Sequence, residues 1–177
     1  MSNDLPYFEI PDYPESWAAP NIVARFVDGF GFRFYWATAD LAPDDFQFKP
    51  SENARSIDET LRHIHSLTAM IEHILAGKSY VLRQPPAEGT AAEIRAKTLH
   101  AIQRISDKLK NDASINFEET PIKFQTSKKD LEYPFWHVLN GLLADAVYHV
   151  GQIVSFRRTL GKPMEEGVNV FLGKNLK

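Results

Sequence analysis

The chain has 177 residues, a formal net charge of −3, a 44% apolar fraction and a 24% charged fraction, values typical of one soluble globular domain. The charge favours neither nucleic acid nor membrane as a partner, no apolar run could span a bilayer, and the N-terminus does not resemble a signal peptide, so we expect a cytoplasmic protein. Because there is no cysteine, disulfides, thiolate metal ligands and a cysteine nucleophile are excluded.

Residues 1–177 are expected to form a single domain, with residues 1–20 as an N-terminal arm that contains four prolines. From about residue 21 to residue 41, apolar residues recur at spacings of three and four, which predicts a first helix that is apolar on more than one face. Such a helix is central or forms a subunit interface, so we expect a homodimer that uses it. Gly29 and Gly31 predict the close approach of another backbone.

A second helix is predicted to begin at the capping box Ser56-Ile-Asp-Glu59 and to end near Ala76, with Gly77 as its C-cap. Residues 78–87 contain two adjacent prolines and are expected to form a loop. A third helix is predicted over residues 88–111. Helices 2 and 3 should each bury one apolar stripe. The stripes are Ile57, Leu61, Ile64, Leu67, Ile71, Ile74 and Leu75 in helix 2, and Ile94, Leu99, Ile102, Ile105 and Leu109 in helix 3.

Residues 115–118 and 122–126 alternate apolar and polar side chains, which predicts a small hairpin or two extended pieces between helices 3 and 4. Pro134 suits the first turn of a fourth helix, predicted to end at Gly161. Residues 162–177 form a short tail that should dock onto the body through Val168, Val170, Phe171 and Leu172. Four helices with little strand signal predict an all-α four-helix bundle.

Asp145 and His149 lie four residues apart in the predicted fourth helix and therefore share one face. They suit either a shared metal ion or a simple hydrogen bond to each other. His137 lies ~18 Å from His149 along the helix and is excluded as a partner. If helices 2 and 4 are antiparallel, His63 falls at a depth similar to that of His149. His73 lies ten residues further along, so depth favours His63 as a third ligand.

A set of His63, Asp145 and His149 would supply two imidazoles and one carboxylate and leave positions open for water and substrate, which suits Zn, Ni, Fe or Mn. Such an ion lowers the pKa of a bound water or thiol. Gln152 could hydrogen-bond to a ligand, and Gly151 would let a helix or ligand approach closely. An Asp and a His at this spacing are, from the spacing alone, more often a hydrogen-bonded or solvated pair than metal ligands. Tyr148 is expected in the core, and three other histidines are expected at the surface: His65, His73 and His100.

Two segments resemble helices of the DinB-like superfamily. Residues 140–163, with Asp145-x-x-x-His149-x-x-Gln152, resemble its last helix, and Ser56-Ile-Asp-Glu-Thr-Leu-Arg-His63-Ile resembles its second. The resemblance implies a four-helix bundle of up-down-down-up order, with a long crossover between helices 2 and 3. It also implies a divalent metal ion held by His63, Asp145 and His149. The family's commoner motif in the last helix is His-x-x-x-His, so Asp145 replaces a histidine and changes the charge and metal preference of the site.

The DinB-like superfamily includes thiol S-transferases and isomerases that use bacillithiol, mycothiol or glutathione, and many of its members are homodimers. We therefore expect a metal-dependent thiol S-transferase or hydrolase that acts on a small molecule, with Zn or Ni favoured over Fe or Mn. The alternative is a non-catalytic, dimeric helical-bundle protein for binding or interaction, in which the metal site is vestigial or absent.

Overall fold

The computed structural model describes residues 5–177, so the prediction of an arm over residues 1–4 lies outside it. The described chain is mainly helical, with α1 (Ala19–Thr38), α2 (Ile57–Leu75), α3 (Ala91–Asn111) and α4 (Ala144–Thr159). A 3-10 helix (Pro43–Gln47) follows α1, and a π-helical segment (Val138–Leu143) leads directly into α4. Within residues 5–177, no helix has the length and apolar character needed to cross a membrane.

The capping box predicted at the start of α2 is confirmed. The hydroxyl of Ser56 accepts a hydrogen bond from the backbone N–H of Glu59 at 3.0 Å, and the Glu59 carboxylate accepts one from the Ser56 N–H at 2.7 Å. Gly77, at φ 67°, adopts the left-handed conformation expected after the helix end. A second capping box, formed by Thr90 and Glu93, begins α3 three residues later than predicted, because Thr90 supplies the cap.

The apolar stripes predicted for α2 and α3 are buried, as are Phe30 and Phe34 of α1. Helix α1 packs against α3 and α4, and α2 packs against the same two helices. Helix α1 begins two residues before the predicted Asn21 and ends three residues before the predicted Leu41. It ends early because Ala39 is extended and Asp40 turns into the left-handed region at φ 58°.

Contacts at the helix ends fix which ends are neighbours. Near the end of α4, the Arg157 guanidinium donates to three carbonyls at the end of α1, at 2.9, 3.2 and 2.9 Å; these belong to Trp36, Ala37 and Ala39. Near the start of α3, Arg95 donates to the hydroxyl of Thr38 at 2.9 Å, again at the end of α1. The end of α1 therefore meets the end of α4 and the start of α3.

The arm packs on α1 through Tyr7, which is 5% exposed. Its hydroxyl donates to the buried carboxylate of Asp28 at 3.1 Å, and Trp36 donates from its indole N–H to the carbonyl of Phe8 at 3.1 Å. A Cβ placed on Gly31 would lie 2.7 Å from Cδ2 of Tyr7. The close approach predicted at Gly31 is therefore made by an aromatic ring of the arm and not by another backbone.

A three-stranded sheet consists of β1 (Tyr80–Val81), β2 (Ile122–Gln125) and β3 (Asp130–Tyr133), with β2 in the middle, parallel to β1 and antiparallel to β3. The prediction of an extended piece at residues 115–118 is wrong. The Asn116 side chain there accepts from the backbone N–H of Glu118, which favours a turn, and the partner of β2 in the hairpin is β3.

The tail forms a two-stranded hairpin of β4 (Val168–Asn169) and β5 (Lys174–Asn175). The predicted docking holds for Val168, which packs against the core, but is wrong for the three residues at the hairpin tip: Val170, Phe171 and Leu172 are 41%, 92% and 50% exposed. The tail is held instead where the backbone N–H of Ile10 donates to the carbonyl of Gly173 at 2.9 Å.

Candidate metal centre

Helices α2 and α4 bring together three residues that could hold a metal ion: His63, Asp145 and His149. His63 lies in the second turn of α2, and Asp145 is the second residue of α4, directly after the π-helical segment. One potential ligand atom from each residue can be chosen such that all lie within 4.8 Å of one another. Within residues 5–177, no other three side chains of ligand type have their potential ligand atoms this close together.

The distances fit a shared ion. Nε2 of His63 lies 3.2 Å from Oδ2 of Asp145, and Nε2 of His149 lies 3.3 Å from Oδ1 of the same carboxylate. The two imidazole rings are 4.6 Å apart between centroids and almost perpendicular, at 88°. Two atoms that coordinate one ion tetrahedrally at about 2.1 Å are about 3.4 Å apart. Each imidazole nitrogen is thus about as far from a carboxylate oxygen as coordination of one ion requires, a distance that a direct hydrogen bond also gives.

Gln152 determines which nitrogen of His149 carries a proton. The distance between Nδ1 of His149 and Oε1 of Gln152 is 2.7 Å, and an amide oxygen can only accept, so Nδ1 donates. In the neutral ring, Nε2 then carries a lone pair that faces Oδ1 of Asp145. A lone pair and a carboxylate oxygen facing each other favour a cation between them.

Burial differs across the site. His149 is 8% exposed, whereas the Asp145 side chain is 44% exposed, so the site opens to solvent at the carboxylate. Burial lowers the pKa of His63, and the positive charge of Arg55 acts in the same direction, while the hydrogen bond to Asp145 opposes both. The neutral form of His63, which can donate a lone pair to a metal, is therefore favoured.

The other histidines considered from sequence lie outside this group. The ring of His137 packs edge-on against Tyr133. His65 and His73, predicted at the surface, are instead half-buried and hydrogen-bonded, because His65 faces Thr98 of α3 and the ring of His73 packs against Tyr80. A Cβ on Gly151 would meet no atom within 4 Å, so among the described residues no helix makes the close approach predicted there.

Two features near the site were not predicted. Tyr148, expected in the core, is 65% exposed, and its ring lies edge-on to that of His149 at 5.5 Å. The sequence carried a signal for this, since Ala146, Val150 and Ile153 form the buried stripe of α4 and Tyr148 lies off it. The second feature is a cleft of about 490 Å³, bordered by His63 and roofed by the segment predicted only as a loop, residues 78–87.

Comparisons with protein-family models, with curated proteins and with solved structures find no match for this chain. A functional assignment therefore depends on the geometry of the site and on the two motifs that resemble the DinB-like superfamily.

Proposed function

We propose that this chain is a metal-dependent enzyme of the DinB-like type, in which His63, Asp145 and His149 hold one divalent ion. The observation that carries the proposal is the arrangement of these side chains, whose ligand atoms lie within 4.8 Å of one another. Two imidazoles and one carboxylate suit Zn or Ni, with Fe or Mn as further candidates. The hydrogen bond to Gln152 keeps the proton of His149 on Nδ1, which supports the same assignment because Nε2 is left free to coordinate.

Contacts between helices support the up-down-down-up order. The end of α4 meets the end of α1 through Arg157, as expected for parallel helices. The start of α3 meets the end of α1, as expected for antiparallel ones. Between α2 and α3, hydrogen bonds join His65 to Thr98 and Glu72 to Arg104, so positions advance together along two parallel helices. Parallel neighbours need a long crossover, which residues 76–90 supply.

When bound, the ion would lower the pKa of a coordinated water or thiol and so provide a nucleophile near neutral pH. The chain's own residues have separate tasks. Gln152 holds the His149 ring in one orientation, and the buried His149 in turn limits water on that side. The exposed edge of Asp145 leaves room for a small-molecule substrate. We assign the reaction to thiol S-transfer, with a low-molecular-weight thiol, or to hydrolysis.

Two rate assays, one for thiol transfer and one for ester hydrolysis, test this proposal. Protein reconstituted with Zn²⁺ or Ni²⁺ is supplied with a low-molecular-weight thiol and an electrophilic aryl chloride, or with an activated ester and no thiol. One of the two reactions should run above the uncatalysed rate, and the His149→Ala variant should lose that excess. A rate that is equal in the wild-type protein and the variant contradicts an enzymatic role for this site.

A second candidate function is a dimeric interaction module, and an exposed apolar surface favours it. Where the arm meets the start of α1, three large side chains are exposed: Trp17 at 92%, Ile22 at 53% and Phe26 at 51%. Ile22 and Phe26 are one helical turn apart and share a face. We infer that this surface joins two copies of the chain. A homodimer is compatible with the enzyme, whereas a dimer that binds no metal would favour the module.

A further inference from the structure

The crossover from α2 to α3 passes over the solvent-facing side of α2 and encloses a cleft of about 490 Å³. This volume falls within the range of small-molecule sites. Its floor consists of side chains that point away from the core on α2, among them Ser66 and Ala69, and its wall includes Tyr80 and two adjacent prolines. His63 lies at the edge of the cleft, so the cleft and the candidate metal centre are neighbours.

The roof of this cleft is fixed at both ends. At one end β1 pairs with β2, and the backbone N–H of Leu82 donates to a carbonyl of β2 at 3.0 Å. At the other end Arg62 donates to the carbonyls of Ala87 and Gly89, while its Nε donates to Asp58 at 2.7 Å. The two prolines between these anchors restrict the backbone further. The cleft is therefore preformed, which lowers the entropic cost of binding a ligand.

Two histidines that line the cleft each keep one ring nitrogen as a hydrogen-bond acceptor. Nδ1 of His65 lies 3.0 Å from the hydroxyl of Thr98, whose own hydrogen is donated to the carbonyl of Ile94 at 2.7 Å, so Nδ1 of His65 is the donor. Nδ1 of His73 likewise donates to the carbonyl of Ala69 at 2.9 Å. In each neutral ring, Nε2 keeps a lone pair. Both residues line the cleft, where these atoms can accept hydrogen from a ligand.

A cation lies toward the other end of the cleft. Arg55 is exposed, lines the cleft, and has no hydrogen-bond or ion-pair partner within residues 5–177. Arg62, in contrast, is occupied in anchoring the roof. Arg55 precedes the N-cap Ser56, and His65 lies eight residues, about 12 Å along the axis, beyond the first residue of α2, a distance that the long arginine side chain shortens. A ligand that reaches both residues carries an anionic group at one end and hydrogen donors at the other.

We propose that this cleft binds a small organic anion. A carboxylate or phosphate of the ligand pairs with Arg55, and its hydroxyl or amine hydrogens are donated to Nε2 of His65. The ring of Tyr80 and the two prolines cover the carbon skeleton. Binding requires no metal ion, so this inference is tested independently of the proposed function. If the metal centre is also correct, the ligand is held in a cleft that shares His63 with that centre.

Histidine-ring NMR of the full chain, without added metal, tests the inference with three probes. Glucose 6-phosphate and gluconate carry a phosphate and a carboxylate on similar polyol skeletons, and glucose carries neither. At least one of the anions should shift the signals of His65 saturably, and the anion that binds more tightly identifies the preferred anionic group. Glucose should bind at least about tenfold more weakly, since it lacks the charge-assisted hydrogen bond.

Arg55→Gln should weaken binding of the anion about tenfold or more and leave the affinity for glucose unchanged. Arg158→Gln is the matched control, because Arg158 is an exposed arginine on α4 that does not line the cleft. Its affinity for the anion should equal that of the wild-type protein. Signals that do not saturate, glucose that binds as tightly as the anions, or equal weakening by both variants would overturn the inference. If the chain binds the anion but takes up no metal, the proposed function is contradicted and the anion site is not.

Discussion

Nε2 of His63 on α2 lies 3.2 Å from Oδ2 of Asp145 on α4, although the two residues are 82 positions apart in the chain. The other oxygen of the same carboxylate lies 3.3 Å from Nε2 of His149. Asp145 thus uses one oxygen toward each histidine, which a single imidazole nitrogen in its place could not do. The position where the sequence departs from the commoner motif of the superfamily that it resembles is also the position that links α2 and α4 at the site.

Gln152→Leu should weaken Zn²⁺ affinity about 10- to 100-fold, because the His149 ring loses the hydrogen bond that fixes its orientation. The affinity is measured by competition with a chromophoric chelator. Ser155→Ala, an exposed position one turn further along α4, is the control and should leave the affinity unchanged. Equal affinity in the wild-type protein and the Gln152 variant would show that the hydrogen bond plays no part in metal binding.

Arg157→Leu should lower the free energy of unfolding by about 3 kcal/mol or more. Arg157 is 3% exposed, and its guanidinium donates to five backbone carbonyls. Three of these bonds are buried at the end of α1, and a leucine would remove the donor from all three carbonyls. Chemical denaturation measures the change. Arg158→Leu, at the exposed neighbour, should alter stability by no more than about 0.5 kcal/mol. Comparable losses in the two variants would contradict this account of Arg157.

Gly31→Ala should destabilise the protein by about 1–3 kcal/mol, because the new Cβ would lie 2.7 Å from the Tyr7 ring and force the arm to move. Gly151→Ala is a matched change in a second helix, where no atom lies within 4 Å of the new Cβ. It should stabilise the protein by about 0.5–1 kcal/mol through the better helix propensity of alanine. Thermal or chemical unfolding of both variants measures these changes in stability, which should be opposite in sign. An unchanged stability of Gly31→Ala would contradict tight packing of the arm at Tyr7.

Phe26→Asp should convert a homodimer into a monomer, since it places a charge in the exposed apolar surface formed with Trp17 and Ile22. Sedimentation velocity at micromolar concentration measures the state of each protein. Phe171→Asp, which introduces the same charge at the exposed tip of the tail hairpin, should remain dimeric. A wild-type protein that sediments as a monomer would rule out the proposed dimer.

The sequence predicted those features that depend on local spacing. The buried stripes of α2 and α3 repeat every three or four residues, and the Ser56 capping box is a four-residue signal, so both were readable without tertiary information. The pairing of Asp145 with His149 also follows from helical spacing. For His63, its estimated depth along α2 favoured it as the third ligand only if α2 and α4 are antiparallel, which local spacing does not show.

Features that depend on contacts distant in sequence were not predicted. The cleft under the crossover exists because Arg62 holds Ala87 and Gly89, and because β1 pairs with a strand more than forty residues away along the chain. The pairing of β2 with β3 depended on the turn at Thr126, whose hydroxyl accepts hydrogen bonds from two backbone N–H groups. Alternation of apolar and polar residues marks a strand but does not name its partner.

Elemental analysis of natively purified protein, prepared without chelator, tests the central proposal most directly. We predict one divalent ion per chain in the wild-type protein and in His137→Ala, a histidine outside the site, and loss of that ion in His149→Ala. Wild-type protein that contains no stoichiometric ion and takes none up from added Zn²⁺ or Ni²⁺ would contradict the proposal. The same holds for His149→Ala protein that binds the ion as tightly as the wild type.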